Sequence, residues 1–276
     1  MSNLIHLHLG NNLDILSSFE DNSFPLIYLD PPYGCGKSFK SHNGSFNDKL
    51  KGKAFLDWLK PRIVEAKRLL TKEGSFFIHL DWHEIHYVKV MCDEIFGRAS
   101  FMNEIIWAYD YGGRSKSKWS SKHDTILWYV IDPKRYTYNY DAIDRIPYMA
   151  PGLVGPEKAK IGKTPTDVWW NTIVPTNGKE RTGYPTQKPL AIIERIVKVH
   201  SNPGDELLDF FAGSGTTGEA AAKHGRRATL VDSNSEAIKV MKRRLKKYGV
   251  VQIQNSDKWS VIRGLSGDEF EYCFFL

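Results

Sequence analysis

Short apolar runs alternate with stretches of helical spacing along most of the chain. LIHLHL (4–9), FPLIYLD (24–30) and SFFIHL (75–80) read as strands, the last set off by Gly74 as a stop signal. AFLDWLKPRIVEAKRLL (54–70) carries apolar residues at helical spacing, with Pro61 marking a kink or a start. DWHEIHYVKVMCDEIFG (81–97) predicts a helix, opened by Asp81 and Glu84 in capping-box spacing and closed by Gly97. NEIIWAYDY and HDTILWYVID predict two more strands.

From 110 to 185 periodicity fades into Gly, Pro, Ser, Lys, Tyr and Trp, which predicts a loop-rich insertion. Regularity then returns as a helix (QKPLAIIERIVKVHS), a strand (ELLDFF), a tight AGSG loop and a helix (TTGEAAAKHG). A strand (RRATLVD) and a helix (SNSEAIKVMKRRLKKYG) follow, and the tail over 250–276 is strand-like. Strands alternating with helices predict an α/β protein with a doubly wound parallel sheet and helices on both faces. The core covers 1–109 and 186–276, and the insertion covers 110–185.

Composition narrows the picture. The 276 residues are 41% hydrophobic, enough for a sizeable core, and carry a formal charge of +6 with a pI near 9.0. A mild basic excess suits a polyanionic partner. Cys35, Cys92 and Cys273 are scattered and contain no CxxC pair, which argues against a disulfide framework or a zinc site. His79, His83 and His86 lack a completing metal signature and read as ordinary histidines, so no metal is expected. No leader pattern and no run long enough to span a bilayer is present, so a cytoplasmic location is expected.

Two stretches carry candidate chemistry. LLDFFAGSGTTGEAAAKHG is strand, acid, glycine loop, helix. Gly213 and Gly215 allow close approach to the main chain, and Asp232 ends the next strand, placed for ribose hydroxyls. Residues 213–218 match a bare GxGxxG, but Asp209 before the loop suits a cationic amino-acid group better than a pyrophosphate. S-adenosyl-L-methionine has that ammonium, an adenosine and no phosphate. A glycine-rich turn without a ligand is the alternative.

The other stretch is LIYLDPPYGCGKS (26–38). Gly36-Lys37-Ser38 resembles the end of a phosphate loop, but residue 31, where the first glycine belongs, is proline. A plain strand-ending turn explains the prolines but requires neither Tyr33 nor an acid at the strand's C-terminal end. A reaction floor explains each residue. An exocyclic amine on a base is a poor nucleophile because its lone pair is delocalised. The Asp30 carboxylate and the Pro31 carbonyl, held by rigid prolines, offer two acceptors for its hydrogens. Tyr33 offers an aromatic face for an extruded base.

DPPY, FFAGSGTT and the intervening YPTQKPLAIIERIV together resemble the amino-methyltransferases of DNA. DPPY comes first and the cofactor loop about 180 residues later, which is similar to the circularly permuted β-class arrangement of the Rossmann-like methyltransferase fold. NEIIWAYDYGGRSKSKWSSKHDTILWY is also similar to stand-alone and Type III adenine modification enzymes. The resemblance covers most of residues 3–248 and implies adenine-N6 methylation of duplex DNA with S-adenosyl-L-methionine. Cytosine-N4 methylation, whose enzymes usually have serine at the place of Asp30, and an inactive binding module are the alternatives.

The resemblance implies a catalytic floor of Asp30, Pro31, Pro32 and Tyr33, with Asp30 also reaching the cofactor. It implies that Asp209, Phe210, Phe211, Ala212, Gly213, Ser214, Gly215, Thr216 and Thr217 hold the methionine end. Asp232, with Ser233 and Asn234, would take the ribose, and Thr186, Gln187, Lys188 and Pro189 would close the pocket. Asn11, where relatives usually have an acid, is a further cofactor candidate. The insertion corresponds to the family's target-recognition region. Its loop GGRSKSKWSSKH supplies Arg114, Lys116, Lys118, Trp119, Lys122 and His123 as DNA candidates. Trp169, Trp170 and Arg181 are candidate neighbours of the base or cofactor. The loop over 34–46 is expected to move and close over a flipped base. The basic helix 239–249 reads as a solvated surface. A homodimer and a companion restriction endonuclease are implied partners.

Overall fold

The computed structural model describes residues 4–41, 44–249, 251–255, 258–262 and 273–274. In chain order its elements are β1 (Ile5–Leu9), α1 (Asn12–Leu16), β2 (Phe24–Leu29), β3 (Lys37–Ser41), β4 (Gly44–Asp48), α2 (Gly52–Leu69) and β5 (Leu70–Leu80). Next come α3 (Ile85–Phe96), β6 (Phe101–Ala108), β7 (His123–Val130), α4 (Pro156–Ile161), β8 (Val168–Trp170) and α5 (Leu190–His200). The chain continues through β9 (Glu206–Asp209), α6 (Thr216–Lys223), β10 (Arg227–Asp232) and α7 (Ser235–Leu245). It ends in β11 (Val251–Asn255), β12 (Lys258–Ile262) and β13 (Cys273–Phe274).

Among the described residues, eleven strands form one sheet in the order β13-β12-β11-β1-β10-β9-β2-β5-β7-β6-β8. Neighbours from β11 across to β5 are parallel. Parallel strands buried on both faces need near-continuous apolar runs, which is why β2 and the end of β5 read so clearly. Alternation divides the core in two. Leu26, Tyr28 and Phe77 point to the face covered by α5, α6 and α7, while Ile27, Leu29, Phe76 and Ile78 point to α2 and α3.

The decisive feature is the neighbour pair β9 and β2. Leu26 pairs with Leu207 and Ile27 with Leu208, across some 180 residues of sequence. From β9 the chain winds through α6 to β10; from β2 it winds through α2 to β5 on the opposite side. The carboxyl ends of β9 and β2 therefore flank a topological switch point, where open α/β sheets bind ligands.

Several expectations need correction. Pro61 neither starts nor ends α2 but lies inside it, on a helix anchored by Phe55, Leu59, Ile63 and Ala66. Gly74 lies within β5, where a side chain would come 2.9 Å from the Thr71 carbonyl. The capping box at 81–84 does not form. Asp81 accepts from the His83 amide at 3.0 Å, and Glu84 instead accepts from the Gly52 amide at the start of α2, at 2.7 Å. Within the segment 110–185, read as an insertion rather than an independent domain, the strand expected over HDTILWYVID forms. β7 lies between β5 and β6 in the main sheet and β8 extends it, because their apolar faces complete the same core. Within the loop expected over 34–46, β3 and β4 pair as an antiparallel ribbon, with Lys37 opposite Asp48 and Ser41 opposite Gly44.

Candidate active site

Three strands end in acids at the switch point: Asp30 follows β2, Asp209 ends β9 and Asp232 ends β10. All three line one cleft of about 690 Å³. Asp209 is held from two sides, accepting from Thr217 Oγ1 at 2.6 Å and from the Phe211 amide at 3.0 Å. Burial pushes its carboxyl up to about 7 against these hydrogen bonds, and the charges of Asp30 and Asp232 push the same way. Burial also raises Asp232, opposed by the amides of Asn234 and Gly213, each 2.8 Å from its carboxylate. Asp30, Asp48, Asp81, Asp209 and Asp232 against the cation of Lys188 leave the cleft an acidic surplus, which suits a cationic ligand.

The glycine loop is shaped by necessity at Gly215. With φ 75° it starts α6, and a side chain there would meet Met241 Cγ at 2.7 Å. Arg244 of α7 braces the loop from behind. It pairs with Glu219 and donates to Ser214 Oγ at 3.0 Å and Thr216 Oγ1 at 2.9 Å. This part of the basic helix is thus structural and buried, not solvated.

The floor is anchored by Asp48, at the end of β4. Its carboxylate accepts from the amides of Tyr33 (3.1 Å), Gly34 (2.7 Å) and Cys35 (3.2 Å), and from Cys35 Sγ at 2.8 Å. Lys188 Nζ lies 2.6 Å from Asp30 Oδ2 and 4.9 Å from the centre of the Tyr33 ring. The turn before Lys188 is tied by Gln187, which accepts from Thr182 and donates to the Glu180 carbonyl at 2.8 Å.

Asp30, Pro31, Pro32, Tyr33, Thr186, Gln187, Lys188, Asp209, Phe211 and Ala212 line the cleft, as do Gly213, Ser214, Thr216, Thr217, Asp232, Ser233 and Asn234. Four expected residues stand outside it. Asn11 caps α1, accepting from the Leu13 amide. Phe210 is buried in the core, Gly215 turns the chain into α6, and Pro189 precedes α5. Sequence reasoning missed Asp48, Trp58, Asp81, His83 and Tyr184, which also line the cleft. Trp58 packs its ring 5.6 Å from that of Phe211, a contact between a helix and a loop that no local spacing announces.

The basic loop lies beyond the cleft. Arg114 pairs with Asp110, Lys122 donates to the Tyr111 carbonyl, and Lys118 sits 5.2 Å from the Trp82 ring. Trp119 is 97% exposed, Lys116 is exposed, and His123 is the exposed first residue of β7. Trp169 is buried under Arg195, whereas Trp170 is exposed. Neither these tryptophans nor Arg181 reaches the cleft.

Known proteins share this arrangement. A family model described as DNA methylase matches residues 24–243. The DNA adenine methyltransferase YhdJ of Escherichia coli (strain K12) is 35% identical over 249 residues, covering 86% of this chain and 81% of its own. The Type II methyltransferase M.HpaI of Haemophilus parainfluenzae is 33% identical, covering 86% of this chain and 72% of its own. Among solved structures, the cytosine-N4-specific PvuII DNA methyltransferase superposes with a TM-score of 0.66 at 17% identity, over 88% of this chain and 87% of its own, a likeness of fold. TTHA0409 of Thermus thermophilus, solved with S-adenosyl-L-methionine, gives a TM-score of 0.59 at 25% identity, over 91% of this chain and 99% of its own. With a family match spanning both the Asp30 floor and the Asp209 loop, this chain belongs to the DNA methylase family.

Proposed function

We propose that the chain transfers a methyl group from S-adenosyl-L-methionine to the N6 amine of adenine in duplex DNA. The observation that carries this reading is the single cleft shared by the Asp30 floor and the Asp209–Asp232 shelf. The donor set fits the cofactor. Asp232 would accept from the ribose hydroxyls, and the acidic field around Asp209 favours an ammonium group. Phe211 and Trp58 offer aromatic surface for the adenine ring. When bound, S-adenosyl-L-methionine supplies an electrophilic methyl group on a sulfonium.

The chain's own residues prepare the nucleophile. Asp30 and the Pro31 carbonyl accept the two hydrogens of the amine and favour a pyramidal nitrogen with its lone pair free. Tyr33 stacks on the base and fixes its plane. A stacked duplex hides this amine, so the target base must be extruded into the cleft. The segment 110–185 supplies DNA contact and target choice through its basic loop.

The test uses purified protein, tritiated S-adenosyl-L-methionine and unmethylated DNA, with nucleoside mass spectrometry of the product. N6-methyladenine is expected. N4-methylcytosine would move the assignment to the other amine of the family's chemistry. Asp30→Ala should abolish transfer while cofactor binding persists, and an active Asp30→Ala enzyme would overturn the mechanism.

A further inference from the structure

Behind the floor, Tyr33 stands between two carboxylates. Its hydroxyl oxygen lies 3.1 Å from Asp30 Oδ1 and 3.2 Å from Asp124 Oδ2. A phenol carries one hydrogen, so it donates to one of them at a time. The other contact becomes a hydrogen bond only when that carboxyl brings a proton of its own and the Tyr33 oxygen accepts it. The arrangement therefore has a place for one proton more than two ionised carboxylates and a phenol contain.

The surroundings decide where that place is. Asp124, on β7, is 6% exposed and accepts from His79 Nε2 at 3.2 Å and from the Tyr109 hydroxyl at 2.9 Å. His79 is fully buried, and its Nδ1 lies 2.7 Å from the Tyr28 hydroxyl. With Tyr28 donating to Nδ1, the imidazole keeps its hydrogen on Nε2 and donates to Asp124. Burial pushes Asp124 up, but the hydrogen bond from His79, the charge of Lys188 and the hydrogen bond from Tyr109 hold it below the usual carboxylate range. Asp124 is thus a fixed acceptor and is not among the residues that line the cleft. Asp30 lines the cleft and meets the substrate.

We propose that Asp124 is a positioning residue for methyl transfer: it takes the Tyr33 hydrogen and so turns the Tyr33 oxygen into an acceptor for the proton that Asp30 collects. This rests on the proposed transfer to an exocyclic amine. The new N–C bond forms from the nitrogen lone pair, and the methyl–sulfur bond breaks with its electron pair left on sulfur. The amine nitrogen then gives up one proton and keeps the N–H electron pair. The proton binds Asp30 Oδ1, which donates to the Tyr33 oxygen. Lys188 loses its ionised partner in that state, which favours later release of the proton to solvent.

The test is a double-mutant cycle on the enzyme loaded with S-adenosyl-L-methionine and DNA. Tyr33→Phe keeps the stacking ring and removes the hydroxyl. Tyr33→Phe and Asp124→Ala should each lower kcat about tenfold or more, with the KM for DNA changed less than about twofold. The double variant should be no slower than the slower single one, because Asp124 acts through Tyr33. Asp124→Asn, whose amide oxygen still accepts the Tyr33 hydrogen, should recover most of the rate. Multiplying losses, a loss confined to KM, or no rescue by Asp124→Asn would overturn the inference. If Asp124→Ala fails to fold, Tyr33→Phe with unchanged kcat does the same. A wild-type protein that methylates no base overturns the functional reading itself, whereas an active wild type with multiplying losses overturns this inference alone.

Discussion

Lys188 Nζ reaches Asp30 Oδ2 at 2.6 Å, joining the turn before α5 to the strand end of β2 across 158 residues of sequence. Lys188 is 8% exposed, and Asp30 lines the cleft. The pair fixes the carboxylate that the proposed mechanism needs and neutralises it while the cleft is open to water. Removing the cation leaves a half-buried carboxylate without its charge partner. Lys188→Met should cost roughly 1–3 kcal/mol of stability, read by urea unfolding. It should also lower kcat/KM at least about tenfold, because Asp30 loses its fixed orientation. A variant of wild-type stability and rate would show the pair to be incidental.

Asp209 predicts a pH-dependent trade between stability and binding. Its carboxyl stands at about 7 in the folded protein, mainly through burial, against about 3.9 in an unfolded chain. Between these values the folded state binds more protons. The contribution of this group is therefore fully present below about pH 4 and lost as pH rises through 7. Asp209→Asn removes the titration while keeping the shape. The variant should match wild type near pH 4 and exceed it by about 2–4 kcal/mol at pH 8, measured by urea unfolding at both values. A stability difference that does not change with pH would contradict the burial argument. A cationic ligand should prefer the ionised form, so wild-type affinity for S-adenosyl-L-methionine should rise from pH 6 to 8 and that rise should vanish in Asp209→Asn.

Asp48 holds the floor by its backbone. One carboxylate serves three consecutive amides, those of Tyr33, Gly34 and Cys35. Bonds from amides to a charged acceptor are stronger than neutral ones, about 1.5–3 kcal/mol each in favourable cases. Asp48→Ala should loosen the turn that aims Tyr33 and lower kcat by at least about tenfold. Asp48→Asn keeps one good acceptor and should fall between. Asp48→Ala with an unchanged kcat would show that Pro31 and Pro32 alone fix the turn.

Much of the fold was legible because parallel strands buried on both faces leave little sequence freedom. FPLIYL and ELLD announce themselves, and the acids that follow or end them sit at the strand ends where the switch point opens. Features made by tertiary contact stayed hidden. Asp48 lies in a polar stretch, and its value comes from amides 13 to 15 residues earlier. His79 and Asp124 meet because β5 and β7 pair antiparallel with His79 opposite Ile126, a register that local spacing does not encode. Arg244 looked like part of a solvated basic helix, but its face of α7 is turned onto the glycine loop. HDTILWYVID is legible as a strand, but that β7 lies between β5 and β6 in the main sheet is a matter of long-range pairing that composition does not carry.

On the proposed function, the basic loop offers two kinds of candidate DNA contact. Arg114 is engaged by Asp110 and Lys122 by a main-chain carbonyl, so their charges are partly committed within the protein. Lys116 and the 97% exposed Trp119 face solvent. Lys116→Ala should weaken binding to all sequences alike and reduce the salt dependence of log K by about one. Trp119→Ala should remove a stacking or wedging contact of about 1–3 kcal/mol while leaving the salt slope unchanged. Fluorescence anisotropy of a labelled duplex between about 50 and 200 mM salt separates the two signatures. If Lys116→Ala left the slope untouched and Trp119→Ala left the affinity untouched, the duplex would have to lie on another rim of the cleft. The neighbouring Trp82–His83 stack, with ring centres 3.9 Å apart and His83 lining the cleft, would then be the next surface to probe.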